Sequence, residues 1–143
     1  MAIKVLLVDD ETSFVETLKR RLTLRRLEVL TAASAAEALA LLAEQEPDVV
    51  VLDVRMPGMD GIEATREIRR THPTVEVILL TGHASLEASM EGMTMGAFDY
   101  LLKPVSIDEL IFKIEDAHRR RCLRLAGTVG EQGGLDGHGG GSG

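Results

Sequence analysis

The chain has 143 residues, of which 45% are hydrophobic, and its formal net charge is -7 at pH 7. That length and hydrophobic share are typical of one ordinary domain with its own core. The acidic balance argues against nucleic acid as a direct partner, because binding to phosphates requires a basic face.

Three features of the sequence predict a cytoplasmic protein. The single cysteine, Cys122, cannot form an internal disulfide, which is typical of a reducing compartment. The first residues, 1–8, lack the charged and then apolar leader of a signal peptide. No apolar run approaches the roughly 18–20 residues that are needed to span a bilayer, so we expect no membrane association.

Short apolar runs alternate along the chain with amphipathic helical patterns. The runs are rich in valine, isoleucine and leucine and show little polar alternation, which is typical of strands buried on both faces of a parallel sheet. Five strands are therefore predicted, at residues 3–8, 27–31, 49–52, 75–80 and 97–102.

A helix is predicted after each run. In the first helix Phe14, Leu18 and Leu22 recur every four residues, as on a buried helical face. The fourth helix, at about residues 85–95, is weakened by Gly92, which costs about 0.5–1 kcal/mol relative to alanine, so we expect it to be mobile. The other three begin with a capping box, in which two side chains three positions apart satisfy backbone amides. These pairs are Ser34 and Glu37, Asp60 and Glu63, and Ser106 and Glu109.

The composition changes near the C-terminus. Residues 127–143 hold nine of the fourteen glycines, which is typical of a flexible segment. We therefore predict one domain over residues 1–122 and a glycine-rich, disordered tail over residues 123–143. On this interpretation, His118 and Arg119–Arg121 form a basic last turn that complements the dipole of the final helix.

Polar residues follow four of the predicted strands. Asp9 and Asp10 follow the first strand, Asp53 the third, Thr81 the fourth and Lys103 the fifth. Five alternating strands and helices predict an open parallel sheet with helices on both faces. Because the carboxyl ends of parallel strands share one edge, where ligands bind in such sheets, we expect these residues to converge.

The residue types in this set indicate phosphoryl transfer. Three neighbouring carboxylates repel one another unless a cation intervenes, and oxygen ligands of this kind suit Mg²⁺. Lys103 adds a positive charge and Thr81 a hydroxyl, which together can stabilise a transferring phosphoryl group. Asp53 is the best nucleophile candidate because it stands alone after the central strand, whereas Asp9 and Asp10 form a pair suited to the metal.

Four motifs resemble the receiver family of two-component response regulators. They are VDDE at 8–11, DVRMPGMDG at 53–61, TGHA at 81–84 and GAFDYLLKP at 96–104, in the family's order and spacing over about residues 3–120. The resemblance implies that residues 1–122 form a receiver domain. It also implies a flavodoxin-like, doubly wound, five-stranded parallel sheet with strand order 2-1-3-4-5.

The resemblance also implies a role for each site residue. Asp53 is expected to be the phosphoacceptor. Asp10 is expected to ligate Mg²⁺ directly and Asp9 mainly through water, while Asp53 and the backbone carbonyl of Arg55 complete the protein's share of the metal shell. The implied protein is a signalling switch that catalyses only its own phosphorylation and dephosphorylation.

The same resemblance implies roles for three further residues at the carboxyl edge. Thr81 is expected to hydrogen-bond one phosphoryl oxygen and Lys103 to pair with another. Tyr100 matches an aromatic switch position, and the Lys103–Pro104 peptide bond is expected to be cis. We also expect Arg55 and His83, each two positions beyond a site residue, to flank the path of the attacking water and to slow hydrolysis.

The implied partners are a sensor histidine kinase or phosphotransfer protein and a downstream effector that docks on the fourth helix, fifth strand and fifth helix. Phosphorylation-dependent homodimerisation is also implied. The stretch 96–104 is similar to receivers of the nitrogen-regulator class. It departs from the winged-helix class, which has an acidic residue where Phe98 stands, and this argues against a dimer built on that class's ion pairs.

Two other classes of protein remain open as alternatives. A Mg²⁺-dependent small-molecule phosphohydrolase of the haloacid dehalogenase type would resemble D-x-D-x-T at its nucleophile, whereas Asp53 is followed by Val54, Arg55, Met56 and Pro57. A flavin-binding module would have a hydroxyl-rich phosphate loop after the first strand, where this chain has Asp9 and Asp10. Taken without the other site residues, this aspartate pair would be interpreted as a cap of the first helix.

Overall fold

The computed structural model describes residues 2–82 and 86–134, and it describes side chains as far as residue 127. The five strands are β1 Lys4–Val8, β2 Glu28–Ala32, β3 Val49–Asp53, β4 Glu76–Thr81 and β5 Asp99–Leu102. The helices are α1 Thr12–Leu24, α2 Ala35–Glu44, α3 Gly61–Thr71, α4 Leu86–Thr94 and α5 Ile107–Gly134. Within the described residues, strands and helices alternate as the sequence predicted.

All strand pairs of the sheet are parallel, and the strand order is β2-β1-β3-β4-β5. The predicted doubly wound α/β fold is therefore confirmed. β5 is shorter than the predicted run at 97–102, because the Ala97 amide donates to the Gly92 carbonyl at the end of α4 instead of joining the sheet.

The core has two layers because neighbouring strand residues point to opposite faces of the sheet. Leu6, Val50 and Leu79 lie in one layer, which also includes buried residues of α2 and α3. Leu7 and Val51 lie in the other, which also includes buried residues of α1 and α5. Helices thus cover both faces, and the polar residues that follow the strands remain at the sheet edge.

The predicted caps form at three helices. The side chains of Ser34, Asp60 and Ser106 accept hydrogen bonds from the backbone amides of Glu37, Glu63 and Glu109 at 3.1, 2.9 and 3.0 Å. The capping box of α2 differs from the prediction in its second bond. The Glu37 side chain accepts from the backbone amide of Ala33, whereas the capping box would have it accept from the amide of Ser34. These caps fix where α2, α3 and α5 begin.

Gly92 has a packing role in α4. A Cβ atom at this position would lie 2.3 Å from Leu79 Cδ1 and 3.1 Å from Ile62 Cδ1. The missing side chain therefore lets α4 approach both β4 and α3 closely.

The described structure differs from the predicted division of the chain at residue 122. α5 extends to Gly134, so the predicted domain boundary falls inside a helix. Leucine, arginine and alanine at 123–126 favour a helix, and arginines fasten it to the sheet. Arg121 donates to Asp48 Oδ1 at 3.1 Å and Arg124 to Glu76 Oε2 at 2.6 Å.

The basic cluster at 119–121 therefore does not form the last turn of its helix. Arg121 also donates to Glu46 at 3.2 Å and to Thr74 at 2.8 Å, and Arg120 lies 5.7 Å from the centre of the Phe98 ring. These two arginines attach α5 to the amino edge of the sheet.

No helix in the described ranges is long and apolar enough to cross a membrane.

Candidate functional site

Backbone hydrogen bonds align the ends of the strands at the carboxyl edge of the sheet. The Asp9 amide donates to the Ala32 carbonyl at 3.2 Å, which extends the β1–β2 pairing by one residue. Asp53, the last residue of β3, is paired in register with Leu80. The Lys103 amide donates to the Thr81 carbonyl at 2.8 Å, which brings the segment after β5 beside the end of β4.

Three carboxylates gather at this edge. One ligand atom from each of Asp9, Asp10 and Asp53 lies within 4.8 Å of the other two. Asp9 is buried, Asp10 is exposed and Asp53 is partly buried. The predicted convergence of these residues is therefore present, and the cluster has the oxygen donors and the spacing to hold a metal ion.

The alternative role of the aspartate pair as a helix cap is not observed. Glu11 is the N-cap residue of α1 and makes no side-chain cap bond. Asp9 Oδ1 instead accepts from the Glu11 amide at 2.9 Å, which fixes the turn between β1 and α1. This leaves Asp9 Oδ2 and the Asp10 carboxylate at the carboxyl edge of the sheet.

Lys103 joins the cluster from the far end of the sequence. Its Nζ donates to Asp9 Oδ2 at 3.0 Å and to Asp53 Oδ1 at 3.4 Å. Burial disfavours the charged lysine, but the bond to Asp9 and the attraction of both carboxylates outweigh it, so the pKa of Lys103 lies above its ordinary value. The ammonium therefore stays protonated and partly neutralises the cluster.

Asp53 is held in an environment that resists its ionisation. Burial and then repulsion from Asp9 raise the pKa of the Asp53 carboxyl above its usual range, although Lys103 opposes this shift. At neutral pH such a crowded carboxylate gains from any cation that approaches it.

The loop after Asp53 brings α3 close to the phosphoacceptor candidate. A Cβ atom on Gly61, the first residue of α3, would lie 2.4 Å from the Asp53 carbonyl oxygen, so only glycine fits. Gly58, in the same loop, has a φ of +80°, a conformation that favours glycine. The glycines of the DVRMPGMDG segment thus shape the loop.

The structure describes four of the other predicted residues, Thr81, Tyr100, Pro104 and Arg55. Thr81 is buried, and its hydroxyl donates to the Gly82 carbonyl at 3.0 Å. Tyr100 is half-buried against the core layer of α2 and α3, and the Lys103–Pro104 peptide bond is cis. Arg55 is exposed, and the proposed metal contact of its carbonyl remains a prediction. His83 lies outside the described residues.

A cleft of about 650 Å³ opens next to the cluster, between the loop after β3 and α4. Arg55 and Pro57 line one side, and Ala88 and Glu91 line the other. Among the described residues that line it, none belongs to the five predicted site residues after the strands. The cleft is therefore adjacent to the cluster and does not enclose it.

One contact of this site was not predicted from the sequence. The Lys103 ammonium lies 4.7 Å from the centre of the Phe14 ring, on the first turns of α1. The four-residue repeat indicated only that Phe14 faces the core. The pairing depends on the distance between α1 and the end of β5, which local sequence patterns do not reveal.

The fold and the site together define a flavodoxin-like α/β protein with an acidic cluster and a lysine at the carboxyl edge of its sheet. The family model for the response regulator receiver domain matches residues 5–115. The chain therefore belongs to the response regulator receiver family of two-component signalling, whose members act as signalling switches.

Known proteins of this family are similar in sequence and in structure. The DNA-binding transcriptional regulator NtrC of Escherichia coli K12 is 42% identical over 113 residues, which are 79% of this chain and 24% of that protein. This chain thus spans about a quarter of the length of that relative.

Two solved structures share the fold. A receiver domain protein from Clostridium thermocellum has a TM-score of 0.81 and 39% identity, covering 85% of this chain and 98% of that one. The receiver domain of NtrX from Brucella abortus has a TM-score of 0.77 and 32% identity, covering 80% and 98%.

Proposed function

We propose that Asp53 accepts a phosphoryl group from a phosphohistidine of a sensor kinase or phosphotransfer protein, in a reaction that requires Mg²⁺. The observation that carries this proposal is the meeting of Asp53 with Asp9, Asp10 and Lys103 at one sheet edge. Membership of the receiver family supports the choice of donor.

The transfer is an in-line displacement at phosphorus. An oxygen of the Asp53 carboxylate forms a bond to phosphorus while the bond between phosphorus and the histidine nitrogen breaks. The nitrogen keeps the electron pair of that bond, and the product is an acyl phosphate. To reset the switch, a water oxygen forms a bond to phosphorus while the bond between phosphorus and the Asp53 oxygen breaks. The Asp53 carboxylate keeps the electron pair of that bond, and inorganic phosphate is released.

The residues around Asp53 fit a divalent cation and a phosphoryl group. Asp10 is the exposed carboxylate and is proposed as the direct ligand, with Asp9 acting through water and the Arg55 carbonyl completing the set. When bound, Mg²⁺ supplies positive charge that offsets repulsion between the carboxylates and the phosphoryl oxygens. Lys103 would then exchange its carboxylate contacts for a phosphoryl oxygen.

Thr81 is proposed to report the presence of the phosphoryl group. Its hydroxyl, now bonded to the Gly82 carbonyl, would turn to a phosphoryl oxygen, and Tyr100 would move with the end of β4. Phosphorylation then shifts an equilibrium between two conformations, as in other ligand switches.

The proposed output surface comprises α4, β5 and α5. Large apolar side chains are exposed on all three elements: Leu86, Met90, Met93, Leu102 and Phe112. Exposed apolar groups of this kind are typical of surfaces that bind a partner. A downstream effector or, in a phosphorylation-dependent homodimer, a second copy of the chain would bind here.

Two further properties belong to the same proposal. The domain catalyses the hydrolysis of its own acyl phosphate, and Arg55 and His83 slow that step. The location is cytoplasmic, which agrees with a single free and exposed cysteine, Cys122.

The phosphohydrolase alternative has less support. A small-molecule enzyme needs a pocket that holds its substrate over the nucleophile. The 650 Å³ cleft is lined instead by the loop after Asp53 and by α4. The position two residues after Asp53 is Arg55, where that enzyme class has its second aspartate.

Intact-mass measurement tests the proposed function. Wild-type protein incubated with acetyl phosphate and Mg²⁺ should gain one phosphoryl group, and chelation of the metal should prevent the gain. Asp53→Asn should gain none. Asp108→Asn is the matched control, because Asp108 is an exposed carboxylate on α5 that pairs with Arg25, and it should behave as the wild type. Labelling of Asp53→Asn at the wild-type level would exclude the proposal.

A further inference from the structure

Phe14 contacts the site through its aromatic face. The Lys103 Nζ lies 4.7 Å from the ring centre, within the range of a cation–π interaction. Phe14 is half-buried on α1 and packs against the core layer formed with α5. The ring is therefore held in place by packing, whereas the lysine side chain is long and flexible.

We propose that Phe14 is a positioning residue that keeps the Lys103 ammonium beside Asp53. The proposal rests on the proposed phosphoacceptor role of Asp53 and deepens it. It assigns to an apolar residue of α1 a part in phosphoryl transfer that operates through Lys103.

The contacts that hold Lys103 would change when a metal ion binds to the site. In the structure, the lysine is held by Asp9 at 3.0 Å and by Asp53 at 3.4 Å. A divalent cation among these carboxylates would offset the negative charge that attracts the ammonium. The aromatic ring is not a metal ligand, so its attraction for the ammonium persists.

The contact with Phe14 also keeps the Lys103 ammonium close to Asp53, where the phosphoryl group would be attached. A lysine released from its carboxylates would otherwise extend into solvent, because its stem has many rotamers and an ammonium is strongly hydrated. The Phe14 ring, which packs against the core, would instead hold the ammonium nearby. From that position the ammonium can meet a phosphoryl oxygen on Asp53 with a small movement.

A nuclear magnetic resonance measurement tests the contact without any phosphorylation. Protons above an aromatic ring are shifted upfield, so the Lys103 ε-methylene protons should be shifted upfield in the wild type and in Phe14→Tyr. The shift should disappear in Phe14→Leu and in Phe14→Met, which fill the space without a ring. Lys103 ε-proton shifts that are the same in all four proteins, with and without Mg²⁺, would overturn the proposal.

Phosphorylation rates test the functional part. With acetyl phosphate and Mg²⁺, Phe14→Leu should react about two- to tenfold more slowly than the wild type, and Phe14→Tyr should restore the rate. Phe98→Leu is the matched control, because Phe98 meets Arg120 at 5.7 Å at the opposite sheet edge, and its rate should be unchanged.

A double-mutant comparison separates positioning from general packing. In a Lys103→Met background, replacing Phe14 with leucine should cause no further loss of rate, because there is no ammonium left to hold. An equal loss in both backgrounds would overturn the proposal. Failure of the wild type to be phosphorylated on Asp53 would refute the proposed function. Normal phosphorylation with equal rates for wild type and Phe14→Leu would refute only the role of Phe14.

Discussion

Arg124 Nε donates to Glu76 Oε2 at 2.6 Å, and the glutamate side chain that accepts this bond is only 1% exposed. Glu76 is the first residue of β4, so the bond attaches α5 to the amino edge of the sheet, opposite the acidic cluster. A buried carboxylate requires a partner of this kind, because leaving it unpaired is costly. Arg124 lies beyond residue 122, yet it belongs to the folded unit.

Replacing Arg124 should therefore destabilise the domain. We expect Arg124→Ala to lower the free energy of unfolding by about 2–3 kcal/mol, somewhat less than for a fully buried pair, because Arg69 also attracts Glu76. Arg119→Ala, at an exposed arginine paired with Asp116, should change it by less than about 0.5 kcal/mol. Urea unfolding measures both, and equal stabilities for the two variants would contradict the interpretation.

Truncation provides a second test of the same contact. A chain that ends at residue 122 should lose about as much stability as Arg124→Ala, whereas a chain that ends at residue 127 should retain the wild-type value. If both truncated chains were as stable as the full chain, the segment after residue 122 would not contribute to the fold.

The raised pKa of Asp53 predicts a pH-dependent stability. A carboxyl whose pKa is raised by folding binds more protons in the folded state, so stability falls as pH rises from the ordinary value through the raised one. At pH 7 without metal, Asp53→Asn should therefore be more stable than the wild type and have a higher Tm. The difference should shrink towards pH 4 and on addition of Mg²⁺.

Thermal melts in the presence of a chelator measure this effect. Asp108→Asn is again the control, because its carboxylate is exposed and pairs with Arg25. A Tm for Asp53→Asn at pH 7 that is equal to or below the wild-type value would contradict the raised pKa of Asp53 in the folded state.

Metal binding should depend on Asp10 more than on Asp9. Asp10 is exposed and is proposed as the direct ligand, whereas Asp9 is engaged by Lys103 and by the Glu11 amide. We expect Asp10→Ala to weaken Mg²⁺ binding tenfold or more and Asp9→Ala to weaken it less. Calorimetric titration measures both affinities, and wild-type affinity in Asp10→Ala would exclude the direct role.

Gly92→Ala should destabilise the domain by about 1–3 kcal/mol, because the new methyl group would overlap Leu79 Cδ1. Gly127→Ala is the matched control. Gly127 also lies in a helix, but a Cβ there would meet nothing within 4 Å, so this change should stabilise by about 0.5–1 kcal/mol. If both substitutions stabilised the protein, the close approach of α4 to β4 would be disproved.

The alternation of strands and helices predicted the parallel sheet and the convergence of the acidic residues, because the carboxyl ends of parallel strands share one edge. The strand order was implied only by the resemblance to the receiver family. The sequence did not predict the attachment of α5. The partners of Arg121 and Arg124 are Asp48 and Glu76, which are 73 and 48 positions away in the chain. Glycine content suggested a tail from residue 123, whereas the helix continues past the point where local composition changes.

The sequence also did not predict the contacts that join distant elements at the site. The strand ends predicted that Lys103 and Asp53 would meet, but they did not predict that Asp9 would be the nearer acceptor of the ammonium. The Gly92 prediction considered helix propensity alone and missed the packing of Leu79 and Ile62 against that position. In each case the decisive partner lies on another element.

The most direct test of the central claim is to locate the phosphoryl group. Borohydride reduces an acyl phosphate on aspartate to homoserine, and peptide mass spectrometry then identifies the converted residue. After treatment with acetyl phosphate and Mg²⁺, we expect conversion at residue 53 alone, and none after treatment without Mg²⁺. Conversion at Asp9 or Asp10, or phosphorylation that leaves Asp53 unconverted, would contradict the account.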